Sequence, residues 1–248
     1  MTRPTTAFIL AAGLGNRMRP LTDTRPKPLI ELDGKPLIDH ALDRFIAAGI
    51  TRFVINVHYR ADQMRTHLAA RSDCEIIISD ETGTLLDSGG GIAKALPLIG
   101  TDPVIKSNSD IIWLEQDGVS LIEAMLTAWN PGIMDTLLGI VPKPQVVGYS
   151  GPGDFERTGT GALIHRGDRP EAPTMFMGLE IIKPALFADR GQGADATPFS
   201  LWEIWTPLLA QGRMHGHLHT GPCLHITNPQ SLADADQFLK ARHAGGES

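Results

Sequence analysis

The chain has 248 residues, 42% hydrophobic and 20% charged, which suits one large α/β domain or two small ones with a core that needs no covalent staples. A net charge of −6 speaks against a nucleic-acid partner, so any anion must be held by local positive charge. Two cysteines, Cys74 and Cys223, give no disulfide framework, and the seven-residue apolar run Ala7–Gly13 is too short for a signal segment or a membrane span, so a cytoplasmic protein without a membrane partner is expected.

"TTAFILAA" is a continuous apolar run stopped by Gly13 and reads as a buried parallel strand. "KPLIDHALDRFIAAG" spaces Leu37, Ile38, Ala41, Leu42, Phe45 and Ile46 as one helix face, closed by Gly49. "TRFVINV" is the next strand, "RADQMRTHLAAR" a polar-faced helix and "CEIIIS" a third strand. "GGGIAKALPLIG" reads as a short helix opening on its glycines, and "DPVIKSNSD" as a strand ending in polar residues. This alternation predicts a Rossmann-like α/β/α fold with a mostly parallel central sheet. Ligands of such sheets sit beyond the carboxyl ends of the strands, where both "AAGLGNR" and "SNSD" fall.

From about Gly148 the texture turns glycine-rich, with short strand-like runs that predict hairpins forming one wall of a pocket. "TPFSLWEIWTPLLAQG" is helical, and its Trp202, Trp205, Leu208 and Leu209 read as core or a subunit face ahead of a ligand platform. "PQSLADADQFLKARH" is a terminal helix with proline in its first turn, and the tail "AGGES" has nothing to hold it. With no linker or repeat, residues 1–248 are expected to form a single domain, about 1–112 as a nucleotide-binding half and about 113–248 as a sugar-binding half, in a monomer or homo-oligomer.

The stretch "LAAGLGNRMRPLTDTRPKPL" carries the chemistry. Gly13 and Gly15 let backbone amides approach a phosphate. A dinucleotide fingerprint would want a small residue where Arg17 stands, and a P-loop would need Gly-Lys-Ser/Thr after the glycines. What remains is a glycine turn followed by Arg17 and Arg19, then Lys27 stiffened between Pro26 and Pro28. On spacing alone a solvated basic loop is an equal alternative.

This stretch closely resembles the signature of the sugar-1-phosphate nucleotidyltransferases, Leu-Ala-Ala-Gly-x-Gly-x-Arg-(Met/Leu)-x-Pro-Leu-Thr followed by Pro-Lys-Pro. "DSGGGIAKAL" resembles the family's nucleobase loop, "SNSD" its Asn-x-Asp metal segment and "FMGLEIIKPALF" its sugar-binding strand. The branch it looks most like is the bacterial N-acetylmuramate 1-phosphate uridylyltransferases; mannose-1-phosphate guanylyltransferases and glucose-1-phosphate thymidylyltransferases share much of the first motif. The resemblance implies transfer of a nucleotidyl group from an NTP to a sugar 1-phosphate, with pyrophosphate released and Mg²⁺ (or Mn²⁺ or Co²⁺) as cofactor. It implies that Leu10, Ala11, Ala12, Gly13, Gly15 and Arg17 hold the nucleotide together with Gly83, Gly89, Gly90 and Gly91. Arg17, Lys27 and Asp110 would be catalytic, Asp110 by holding the metal, while Asn108, Asp154, Gly178 and Glu180 would face the sugar.

One position departs from the family pattern. His225 stands where the family places a second metal aspartate. Neutral imidazole is a poor Mg²⁺ ligand. Asp110 with phosphates and water would then hold the metal, or a softer ion is preferred, or the chain is a non-catalytic nucleotide-sugar-binding regulator. A zinc site from His215, His217, His219, Cys223 and His225 is a further alternative, although the spacing fits no common zinc pattern.

Overall fold

The computed structural model describes residues 3–116 and 118–245. Strand β1, Thr6–Leu10, is buried along nearly its whole length: Ala7 and Ile9 enter one core and Phe8 the opposite one, as a strand covered on both faces requires. The short strands β2 (Glu31–Leu32) and β3 (Lys35–Pro36) form a hairpin around Asp33 and Gly34, both at positive φ, the Asp-Gly pair that a tight two-residue turn needs. Helix α1, Leu37–Ala47, buries Leu37, Ile38, Ala41, Leu42 and Phe45, the predicted face, and Gly49 follows its end at φ 79°.

Next come β4 (Arg52–Val57), α2 (Ala61–Ala69), β5 (Glu75–Asp80), α3 (Asp87–Ile99) and β6 (Val104–Asn108). The short β7 (Ile111–Trp113) leads to α4 (Leu121–Ala128), whose Ser120 side chain caps the Glu123 amide. The second half holds β8 (Thr136–Pro142), β9 (Val146–Val147), β10 (Phe155–Arg157), β11 (Leu163–His165), β12 (Thr174–Ile182), α5 (Trp202–Ala210), β13 (Met214–Leu218), β14 (Cys223–His225) and α6 (Pro229–Ala244). Asn228 and Ser231 close a reciprocal cap at the start of α6. Residues 246–248 of the tail lie outside the described residues.

The main sheet runs β11-β10-β12-β6-β1-β4-β5, with β8 joining β12 and β13. Its centre, β6-β1-β4-β5, is parallel, as the strand–helix alternation predicts. The chain moves from β1 outward to β4 and β5, then returns to lay β6 on the other side of β1. The order therefore reverses between β1 and β6, whose carboxyl ends meet at the pair Leu10 and Asn108. Helices cover both faces: α1, α2 and α4 on one core, α3 and α5 on the other. A second small sheet, β7-β14-β9, packs under α6 and brings His225 opposite Ile111.

Two local expectations are corrected. Helix α3 does not open on its glycines but at Asp87, so Gly89, Gly90 and Gly91 lie inside it and are buried. They are small because the helix is pressed on its neighbours: an added Cβ would fall 2.3 Å from the Phe199 ring at Gly89 and 2.4 Å from the Thr197 carbonyl at Gly90. The stretch around Met177 is not one of several short runs but the nine-residue β12, antiparallel to both β6 and β8. Its register shifts between Phe176 and Glu180, around Gly178 at φ 72°, where an added Cβ would lie 2.9 Å from the Asn108 side chain. The hairpin expected as a pocket wall is β10–β11, at the sheet edge.

Candidate active site

The loop leaving β1 is tied to its neighbours by a buried polar chain. The Ala11 amide donates to Asn56 Oδ1 at 2.7 Å, Asn56 Nδ2 donates to Glu81 Oε1 at 2.7 Å, and Glu81 Oε2 accepts from the Leu86 amide at 3.2 Å. The ends of β1, β4 and β5 and the start of α3 are thus held in one frame. Burial raises the Glu81 carboxyl above its ordinary value, opposed by its bonds to Asn56 and Leu86.

Beyond Ala12 the loop turns through Gly15 at φ 65°. A side chain there would meet Thr22 Cγ2 at 2.9 Å and Lys27 Cβ at 3.1 Å, so only glycine fits. The Gly15 carbonyl accepts from the Met18 amide and from Thr22 Oγ1, both at 2.9 Å, which fixes the turn against the strand-to-loop corner. Gly13 faces open space on the cleft. Arg17 is exposed at the rim and makes no ion pair among the described residues. Lys27 starts a short turn after Pro26, and its ammonium donates to Asp110 Oδ2 at 2.6 Å. These side chains are only 12% and 23% exposed, so two residues 83 positions apart form a partly dehydrated ion pair at the point where the sheet order reverses.

Around this pair lies a cleft of about 690 Å³. Of the residues expected at the nucleotide, it brings together Leu10, Ala11, Ala12, Gly13, Gly15 and Arg17, along with Lys27, Asn108 and Asp110. It does not include Gly83, Gly89 or Gly90. The last two are covered by the 197–199 segment, and their amides donate to the Phe199 carbonyl at 3.0 and 3.1 Å. Asp87 and Ser88 line the cleft instead. Asp87 is a non-glycine residue at φ 60°, a left-handed conformation concentrated at functional turns. Asn56, Glu81, Asp87 and Ser88 do not stand out in the sequence; the only signal is the polar Asp-Ser step ahead of the three glycines.

A second recess, about 360 Å³, adjoins the first and shares Leu10, Ser88 and Asn108 with it. Asp154 and His225 line it, together with Trp202 and Trp205, so the tryptophans expected as core face a cavity as well. Trp205 packs edge-on to Phe176 at 5.2 Å, and Trp202 stacks on Phe155 at 6.2 Å. Asp154 also braces the sheet edge, because its Oδ2 accepts from the Phe176 amide at 2.8 Å and so joins β10 to β12. Gly178 and Glu180 do not reach the recess. The bulge sets Gly178 against Asn108, and Glu180, on the same side as Phe176, is fully buried among Thr136, Trp205 and Lys106.

His225 stands beside Tyr149, ring centres 5.5 Å apart, and its buried Nδ1 has no partner among the described residues. Burial holds the imidazole below its ordinary value, opposed by the Asp110 charge, which favours the neutral ring. Among the described residues no three His, Cys, Asp or Glu side chains converge, and His215, His217, His219, Cys223 and His225 do not assemble a zinc site. Cys74 is half-buried and Cys223 buried, both free, with burial pushing the Cys223 thiol to about 12. A hard oxygen from Asp110 and one free imidazole nitrogen fit a cation whose remaining ligands are phosphate oxygens and water.

The nucleotidyl transferase family pattern matches residues 6–125. The N-acetylmuramate alpha-1-phosphate uridylyltransferase of Caulobacter vibrioides is 41% identical over 240 residues, covering 95% of this chain and 97% of that protein. The chain belongs to the sugar-1-phosphate nucleotidyltransferase family. The nucleotidyltransferase of the same name from Neisseria meningitidis is 34% identical over 244 residues, covering 95% of this chain and 98% of that one. Among solved structures, the inositol-1-phosphate CTP transferase from T. maritima superposes with a TM-score of 0.77 over 100% of this chain and 99% of its own, at 15% identity. That likeness extends the shared nucleotidyltransferase fold to the whole length of the chain. No helix among the described residues is long and apolar enough to cross a membrane.

Proposed function

We propose that the protein transfers uridylyl from UTP to N-acetylmuramate α-1-phosphate, giving the UDP-sugar and pyrophosphate. The observation that carries the chemistry is the Lys27–Asp110 contact of 2.6 Å beside the Gly15 turn. The base and the sugar rest on the relatives that match along nearly the whole chain. Residues of about 1–112 form the nucleotide-binding half, from which Lys27 also reaches the sugar phosphate, and those of about 113–248 form most of the sugar-binding half, in the cytoplasm, where nucleoside triphosphate is available.

The reaction is an in-line displacement. An oxygen of the sugar phosphate forms a bond to the α-phosphorus of UTP as the bond to the bridging oxygen of pyrophosphate breaks. The nucleophile is already an anion, so no side chain needs to take a proton. The difficulty is bringing two anions together, and positioning and charge neutralisation answer it. The amides of Gly13 and Gly15 face the triphosphate. Arg17, unpaired at the rim, meets the charge that gathers on the departing pyrophosphate. Lys27 leaves Asp110 for the sugar phosphate and holds it against the α-phosphorus, and the same movement frees the Asp110 carboxylate for a divalent cation. Asp110, with His225 behind it, would hold Mg²⁺, which supplies charge neutralisation at the phosphates when bound.

Purified protein with Mg²⁺, each of the four common NTPs and a panel of sugar 1-phosphates tests the reading by pyrophosphate release. Release with UTP and N-acetylmuramate 1-phosphate is expected. Release only with GTP and mannose 1-phosphate would replace both substrates. NDP-sugar binding with no release from any pair would make the chain a regulator.

A further inference from the structure

Strand β6 carries a lysine at its centre, between Ile105 and Ser107. Lys106 pairs in register with Glu180 of β12, so both side chains leave the sheet on the α5 side. Its side chain is 2% exposed and that of Glu180 0%. Glu180 Oε1 is engaged twice, accepting from Thr136 Oγ1 at 2.7 Å and from Trp205 Nε1 at 2.8 Å. Its Oε2 accepts no hydrogen bond among the described residues and lies 3.6 Å from Lys106 Nζ, longer than a hydrogen bond. The ammonium rests 4.9 Å from the centre of the Phe176 ring and donates no hydrogen bond among the described residues. Burial lowers the lysine below its ordinary value, while Glu180 and Asp110 hold it up.

A buried ammonium with idle donors is costly unless an acceptor reaches it. Lys106 lines the second recess and Glu180 does not, so the pair shows the recess its positive end. The recess has aromatic walls and shares Asn108 with the cleft that holds Lys27 and Asp110. A sugar whose phosphate lies at Lys27 has its ring substituents here. Muramate is glucosamine bearing a lactyl ether, and the carboxylate of that ether is the strongest acceptor on the ring.

We propose that Lys106 is a specificity-determining residue: its ammonium takes the lactyl carboxylate that distinguishes N-acetylmuramate 1-phosphate from N-acetylglucosamine 1-phosphate. This rests on the substrate reading above, and the test separates the two. Pyrophosphate release with UTP is measured first on the wild type with each sugar 1-phosphate; failure to prefer the muramyl substrate overturns the substrate reading, and the lysine proposal with it. Next comes Lys106→Met with Glu180→Gln, which removes both charges and keeps an acceptor for Thr136 and Trp205. The ratio of kcat/KM between the two sugars is expected to fall about 10- to 100-fold, chiefly through KM. An unchanged ratio, within about threefold, with both rates lowered together would assign the pair a purely structural role. Wild-type enzyme with the lactyl amide of the substrate gives a readout that no folding defect can disturb. It is expected to lose a comparable factor, and full activity on the amide would overturn the assignment.

Discussion

Replacing Lys27 by methionine tests the reasoning where it is most exposed. Methionine keeps most of the length and removes the charge. The Lys27 side chain is 12% exposed, so water screens its pull on a substrate phosphate only in part. Two unit charges about 4 Å apart attract by about 4 kcal/mol at an effective dielectric constant of about 20. If that attraction is used in the transition state, its loss lowers turnover about 10³-fold, at about 1.4 kcal/mol for each factor of ten. Stability should change far less, because Asp110 is 23% exposed and can turn to water once its partner is gone. The assay is steady-state pyrophosphate release with separate kcat and KM for the sugar phosphate, run beside thermal melts of both proteins. Turnover within about tenfold of wild type, in a protein that melts normally, would show that Lys27 is only the counter-ion of Asp110 and refute the clamp.

Three further outcomes follow from the same geometry. His225→Asp adds a carboxylate near Asp110 and Asp154; the variant should melt lower than wild type in a chelator, recover with Mg²⁺, and reach half-maximal activity at lower Mg²⁺, whereas an unchanged Mg²⁺ dependence would put His225 outside the metal's reach. Asp135, hydrogen-bonded by Arg213 and Lys183, is held at about 2 against an ordinary 3.8 and so contributes about 2 kcal/mol above the unfolded value. That contribution fades as pH falls through 3.8 toward 2, so urea unfolding should show Asp135→Asn destabilised at pH 7 and the gap narrowed at pH 3; a gap that widens on acidification would contradict it. Gly90→Ala gains about 1 kcal/mol of helix propensity but sets a methyl 2.4 Å from the Thr197 carbonyl, a backbone atom that cannot step aside, so the variant should lose about 1–3 kcal/mol in urea melts. A more stable variant would mean that the 197–199 segment yields.

The elements legible in the sequence are those whose pattern is settled locally. The unbroken apolar run of β1 and the helical spacing of α1 needed no tertiary information. The glycine turn and Lys27 were legible because a left-handed backbone and a cation between prolines leave a signature in residue type. Helix α3 was harder: glycine normally weakens a helix, and only the Phe199 ring at Gly89, the Thr197 carbonyl at Gly90 and the Glu81 and Asn56 side chains at Gly91 explain why three sit inside this one. Glu180 went astray for a different reason. Strand alternation gives its side, the one shared with Phe176, because the shift at Gly178 adds two residues and keeps the parity; what alternation does not give is depth, and Thr136, Trp205 and Lys106 close over the carboxylate. Lys106 itself gave no warning, since a lysine beside Ser107 and Asn108 looks like part of the strand's polar end until β12 is laid beside it.

The hairpin β10–β11 is fastened only to second-half elements: Phe155 pairs with Thr174 of β12, the Asp154 carboxylate accepts from the Phe176 amide, Arg157 and Gly161 meet Gly216 of β13, and Trp202 of α5 packs on Phe155. The parallel strands that carry the glycine turn make no part of that attachment. Substitutions confined to the hairpin can therefore reshape the second recess while the glycine turn goes on folding as before.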